Sequence, residues 1–433
     1  MKNLPQLLCI FLLVFCNSYS QQEKGIIGTD NWLNSWTEFK PELNEYGEAT
    51  EILTGNISTD TKLSKKNTYM LLGNVFVTNN ATLFIEPGTV IIGDFKSNGA
   101  LIITKGATII ADGLQTDPIV FTSNRSVKKA GDWGGIIILG DAPINKFGNG
   151  SSVNHNFKSA SYDHISYGGE NGGSNSGVLR YVRIEYAGKK LKSGENFNAL
   201  LLAGVGSQTI LENIMVSFSE GNSFDVYGGQ VNLSKAVSYK SNRVDYSFNY
   251  GAQCNLYNSL AVRSSYISSP EGSRCLQVAS YNNDKEEIDF SKPQTSVMAT
   301  NLTFINASDN LQSEIKVGLV KEAIYIAEYA ELDMSKSVIS GFNPAVLFEN
   351  KIRINNETLD KVRFTEMYFN NCNGNIFTEY KSNNEDLESW YGNSSFFNVY
   401  SKGLDSETFI DLQNSRKPDF RLRINKIIAS NDD

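Results

Sequence analysis

The chain has 433 residues, 47 acidic against 39 basic, a formal net charge of −8 and a pI near 5.1. This balance excludes a nucleic-acid backbone as partner, because counterion release needs clustered Lys and Arg. The length suggests roughly two to three domains, although a repetitive β fold can run longer as one body.

The first 20 residues, MKNLPQLLCIFLLVFCNSYS, read as a secretory signal peptide: Lys2 is basic, Leu7 to Phe15 is apolar, and Ser18 and Ser20 are spaced for cleavage before Gln21. The apolar run is too short to span a bilayer, and no later stretch approaches about 20 apolar residues, so the protein is not expected to be integral to a membrane. It is placed as secreted or in the cell envelope. The competing reading is a lipoprotein anchored through Cys16; Leu13 and Val14 fit that pattern, but Phe15 stands where a small residue is needed. Without the signal, Cys254, Cys275 and Cys372 remain, an odd number that precludes a full disulfide framework. None lies in a CxxC pair or near a histidine, so zinc is not indicated. Residues 21–54 are assigned as a lead-in and N-terminal cap.

From Ala81, ATLFIEPGTVIIGDFKSNG aligns with ALIITKGATIIADGLQTDPIVFTS from Ala100 at an offset of 18, each unit reading strand, glycine turn, strand. Further on, Leu211, Leu233 and Leu256 recur after 22 and 23 residues, and segments from Met298, Leu332 and Leu359 continue the series. Short strands rich in Val, Ile, Phe and Tyr, broken by Gly, Asn, Ser and Asp, indicate all-β structure. A repeat near 20 residues matches one coil of a β-helix, and the leucine-rich signature is absent. Because parallel crossovers are right-handed, a right-handed parallel β-helix over 55–375 is expected, with 376–433 as a C-terminal cap. Cys254 and Cys275 would then stack as reduced core residues one coil apart, with a bridge as the alternative. Asn213, Asn258 and Asn301 would form an asparagine ladder at a corner. GDWGGIIILGDAPIN, from Gly131, has glycines before a strand and no helix after it, so it reads as a coil corner and not a phosphate loop. It launches a polar insertion, 148–176, that holds both histidines, His155 and His164.

TLFIEPGTVIIGD, LIITKGATIIADGLQTDPIVFTS, GDWGGIIILGDAPIN, SGVLRYVRIEYAG, NSFDVYGGQVNLSKAVSYKSNRVDYSFNYG and the late KPDF resemble, in order, motifs of secreted right-handed β-helix proteins of the Bacteroidota. The resemblance covers most of Gly55 to Asn282. It implies an envelope or secreted protein, often associated with outer-membrane transport, without established catalysis. In that family the segments around NSFDVYGG and NRVDYSFNYG usually carry clustered acids. Here only Asp225 and Asp245 remain, so a cation site at that place lacks most of its carboxylates; no cofactor is assigned, and calcium stays open.

Function therefore rests on a few side chains. Asp225 and Asp245, in corresponding parts of consecutive coils, are the candidate carboxylate pair for a polysaccharide lyase or glycoside hydrolase acting on acidic polysaccharide; turn capping is the preferred reading. Arg180 and Arg183 in VLRYVRIEY form a candidate cationic strip for acidic sugars, with ordinary cross-coil ion pairs preferred. Tyr162, His164 and Tyr167 of the polar insertion, with Tyr227, are candidate ligand-binding residues, tyrosine being a flat amphipathic surface for sugars or protein partners. The favoured function is a non-catalytic binding module or a subunit of an outer-membrane assembly, with a glycan or an envelope protein as partner.

Overall fold

Alternating apolar and polar side chains on strands of a few residues cannot bury one face within a single turn of chain, so burial here comes from stacking turns. A computed structural model describes residues 24–153, 157, 161–192, 194, 196–267, 269, 272–282, 285–379 and 383–423. The signal segment, Cys16 and His155 lie outside the described residues. The chain is a right-handed parallel β-helix whose coils lay down three strands each, and all but two small pairs of strands join one continuous system.

The strands stack into three parallel faces. The first face begins with 51–53 and 68–71, continues through 90–93, 119–123, 182–184 and 215–217, and ends at 399–401. The second begins with 55–57 and 74–77, passes 100–103, 135–139, 200–203, 224–227 and 246–249, and ends at 376–378. The third runs from 61–63 and 82–85 through 108–112, 177–180, 210–212, 230–234 and 253–257 to 362–365.

This register corrects the early repeat. The offset of 18 compares a strand of the third face with one of the second; coil to coil, Leu83 faces Ile109, 26 residues on. The two corners resemble each other because each joins a short alternating strand to the next through one glycine turn. The later leucines are in register as expected, Leu211 with Leu233 and Leu233 with Leu256. Leu332 instead faces Val297, and Leu359 lies in the helix Asn356–Lys361, leaving Val362 opposite Leu332.

The corner from third to first face takes one residue in the left-handed region: Tyr181, Asn213, Lys235, Asn258, Asn301, Lys336 and Glu366 have φ between 48° and 59°. Asparagine tolerates this conformation well, which explains its recurrence. The three asparagines share this backbone geometry but form no side-chain ladder. Asn258 instead accepts from Ile27 N at 2.8 Å and donates to Ile27 O at 3.0 Å, while Asn301 donates to Gly25 O at 3.2 Å. Cys254, Cys275 and Cys372 are free and buried, and the expected stack is absent: Cys254 faces Val231 and Val297 on the third face, whereas Cys275 immediately precedes the strand Leu276–Val278 of the second. Inward positions differ in face even one coil apart, so sequence spacing near one period does not guarantee contact.

Two faces are covered from outside. Residues 24–46 run backward along the first face: Gly25 N donates to Lys336 O at 2.8 Å, Trp36 meets Tyr181 edge-on at 6.0 Å and Phe39 meets Tyr239 at 5.0 Å. Ile26, Leu33, Trp36 and Phe39, with Phe409, Phe420 and Leu422 of a C-terminal hairpin, seal Met215, Val237, Leu260, Val262 and Ile305. The KPDF segment belongs to this seal; Asn31 Nδ2 donates to Pro418 O at 2.9 Å, and Arg421 to Gly28 O at 2.8 Å. The helix Asn384–Tyr391 closes the far end, with Leu387 and Tyr391 in the main core and the Tyr391 hydroxyl donating to Val362 O at 2.6 Å.

The second face is covered over its early coils by the insertion and by the loop before Leu200. Val153 and Tyr167 of the insertion and Phe197 of that loop bury Phe76, Ile102, Ile137, Leu139 and Leu201. This explains the unbroken run IIIL: Ile136 and Ile138 point into the coil and Ile137 and Leu139 out of it, yet all four are buried, as in a sheet covered on both sides. At the corner, Gly135 has φ 119° and a Cβ there would sit 2.2 Å from Asn198 O, so only glycine fits. Trp133 fills the core and donates from Nε1 to Glu185 O at 2.8 Å. Asp132 accepts from Lys129 N at 3.0 Å and pairs with Arg125 at 2.6 Å. Among the described residues no helix is long and apolar enough to cross a membrane.

Candidate functional site

The third face is the one left open, and its register sorts side chains into columns. Phe84, Ile110, Val178 and Ile210 stand outward in one column, which continues through Asn232, Asn255 and Met298. In the next column Arg180 lies between Asp112, at 3.1 Å, and Glu212, at 3.6 Å, and Lys235 reaches Glu212 at 3.4 Å. These partly exposed pairs neutralise one another and contribute little to stability individually.

Where the column turns from aliphatic to amide, the face forms a groove of about 280 Å³ lined by Ser207, Gln230, Asn232, Gln253, Asn255, Ser296 and Met298. Asn255 donates to Asn232 at 2.7 Å, and Gln253 donates to Gln294 O at 2.6 Å, so the amides of neighbouring coils orient one another. Met298 is 60% exposed and Tyr257 44%. Among the described residues no charged side chain lines this groove. Amides present both donors and acceptors, which suits hydroxyl-bearing ligands, and the thioether offers an adaptable apolar contact. The sequence signal was the recurrence of Asn and Gln at matching strand positions in QVNLS and QCNLY, visible only once the coil register is known.

The side chains singled out in the sequence go elsewhere. Asp225 is 2% exposed on the second face, opposite Ser247, and accepts from Asn198 Nδ2 at 2.6 Å. Burial pushes its carboxyl above the usual range, opposed by hydrogen bonds from Ser247, Tyr227 and Asn222. Asp245 is fully buried before the same strand stack; Arg263 lies 2.8 Å away and Ser238 donates to it at 2.5 Å. Burial raises its pKa too, with Arg263 pulling it down. Each acid thus has its own buried partners, and the register pairs neither with the other.

Arg180 and Arg183 are separated by the left-handed corner at Tyr181, which puts Arg180 on the open face and Arg183 under the N-terminal segment. Arg183 there donates to the Tyr46 hydroxyl at 3.0 Å and lies 3.6 Å from Glu185, whose carboxyl is raised by burial. A one-face strip of arginines is therefore not formed. Tyr162 is 62% exposed, His164 lies 5.4 Å from Phe76 with the two rings tilted by 32°, and Tyr167 is buried, its hydroxyl pushed up to about 12. Tyr227 bridges Tyr167, at 6.4 Å, and Tyr250, at 5.2 Å. Of these four, Tyr162 alone offers a mostly exposed ring. Among the described residues no group of three or more His, Cys, Asp or Glu is placed to hold a metal ion.

Three lateral sheets and a closed far end define a parallel β-helix. Residues 55–404 match the family model of pectate-lyase-like β-helix domains, and the chain belongs to that family. The match extends well past Asn282, where the motif resemblance stops. No curated protein matches the sequence. A solved structure of pectin methylesterase in complex with hexasaccharide VII is similar at a TM-score of 0.30 and 10% identity, covering 72% of this chain and 88% of that one.

Proposed function

We propose that this protein is a secreted or cell-envelope β-helix that binds polysaccharide along its third face and does not cleave it. The observation that carries this reading is the uncharged amide and methionine groove on the one face that neither terminal segment nor insertion covers. Two neighbouring coils repeat the same amides at a strand spacing of about 4.8 Å, so a glycan lying across them meets donor and acceptor groups on both. Membership in a pectate-lyase-like family supports a polysaccharide as ligand. The buried positions of Asp225 and Asp245, each with its own partners, favour binding over hydrolysis or elimination.

A glycan array followed by calorimetry tests the proposal. At least one polysaccharide class should bind the wild type, and the double variant Asn232→Ala/Asn255→Ala should lose about tenfold or more in affinity. Silence across a broad array, or release of unsaturated or reducing ends from any bound polysaccharide, would overturn it.

A further inference from the structure

The far end of the solenoid holds a second concavity with different chemistry. It lies between the helix Asn356–Lys361, the helix Asn384–Tyr391 and the turn Ser394–Phe396, and encloses about 510 Å³. That volume lies within the range of small-molecule sites, large enough for about one or two sugar rings. The polar stretch SNNEDLESWYGNSS supplies much of it.

Its wall is aromatic: Trp390 and Phe396 lie 6.2 Å apart with their rings inclined at 44°, backed by Ile354 and Leu359. The rim is amide, hydroxyl and carboxylate. Asn355 Oδ1 accepts from Thr358 N and Asn393 Oδ1 from Ser395 N, both at 3.0 Å, which commits their oxygens and leaves their NH2 groups as donors. Among the described residues Asp386 is the single charged one lining the pocket.

We infer that this end pocket is a second binding site, for an uncharged saccharide. An aromatic wall takes the C–H face of a pyranose, the asparagine NH2 groups donate to ring hydroxyls, and Asp386 accepts from them. An anionic sugar would meet Asp386 with no lining cation to offset it, which sets the expected preference against uronates. The site is separate from the third-face groove in place and in lining, and stands or falls independently of it.

Ligand-observed NMR and calorimetry with cellotriose, mannotriose, xylotriose and trigalacturonate test the assignment. At least one neutral trisaccharide should bind with Kd of about 0.1–1 mM, and trigalacturonate at least about tenfold more weakly. Ser389→Arg, an exposed helix position at the rim, should abolish binding while circular dichroism stays unchanged, and Phe396→Ala, which removes half of the aromatic wall, should weaken it about five- to tenfold. Asn232→Ala/Asn255→Ala should leave this affinity intact, which distinguishes failure here from failure of the groove. No saturable binding by any neutral trisaccharide at about 10 mM, undiminished binding to a folded Ser389→Arg variant, or tighter binding of trigalacturonate would overturn it.

Discussion

The first and third faces are made of the same kind of strand in the same parallel register, yet their outward columns differ. On the first face Met215, Val237, Leu260, Val262 and Ile305 point away from the coil and are buried by residues 24–46 and the C-terminal hairpin. On the third face the equivalent positions are Ile210, Asn232, Asn255 and Met298, and water reaches them. Outward chemistry thus tracks what lies over each sheet, and the solenoid has in effect one inner core and two outer ones. A face that needs no cover is free to hold a ligand.

The contrast is sharpest where covered polar groups are concerned, and the largest effect is expected there. Arg263→Ala would strand Asp245 in a buried site, at a cost of about 3–5 kcal/mol in denaturant titration. A loss below about 1 kcal/mol would mean that water reaches this corner. Next in size, Trp36→Ala should cost about 3 kcal/mol and speed amide exchange in strands 237–239 and 260–264, showing that the outer core behaves like the inner one. Slow exchange in the variant would make the N-terminal segment an ornament.

A pH prediction concerns the second face. Because burial raises the Asp225 carboxyl in the folded chain, the folded state holds its proton longer than the unfolded one, so its stabilising contribution is complete below the ordinary carboxylate pKa of about 4 and is lost as pH rises through the raised value. Asp225→Asn should therefore flatten the decline in stability on the alkaline side of that range while leaving stability near pH 3 little changed. Equal slopes in the two proteins would place the carboxylate in contact with solvent. The smallest effect belongs to the open face: Arg180→Ala should change stability by less than about 1 kcal/mol, since its partners Asp112 and Glu212 are themselves partly exposed. A larger loss would make the third face as structural as the others.

Much of the fold is legible in local chemistry. The leucine period of 22 and 23 residues marks true coil neighbours because each leucine occupies the same inward position on the third face. The DWGG corner is legible from its glycines, since Gly135 tolerates neither a Cβ nor a negative φ. The offset of 18 misleads because two corners of one coil carry the same strand–glycine–strand grammar on different faces. Arg180 and Arg183 mislead likewise: they share one continuous strand, but the left-handed Tyr181 between them turns the chain from the third face onto the first. The amide groove escapes a linear reading because Gln230 and Gln253, or Asn232 and Asn255, meet only through the register.

By itself, then, the sequence determined that this chain is a stack of short parallel strands, because a repeat near one coil length and inward apolar alternation admit few other ways to bury the same residues. Only the tertiary structure decided which face stays open. That choice depends on where residues 24–46, the insertion before Gly177 and the C-terminal hairpin lie across coils far away in sequence, and no local pattern of hydrophobicity encodes such placement. Asp225 and Asp245 show the consequence: polar residues that look like chemistry in a linear reading become structural once neighbouring parts of the fold bury them among hydrogen-bond partners.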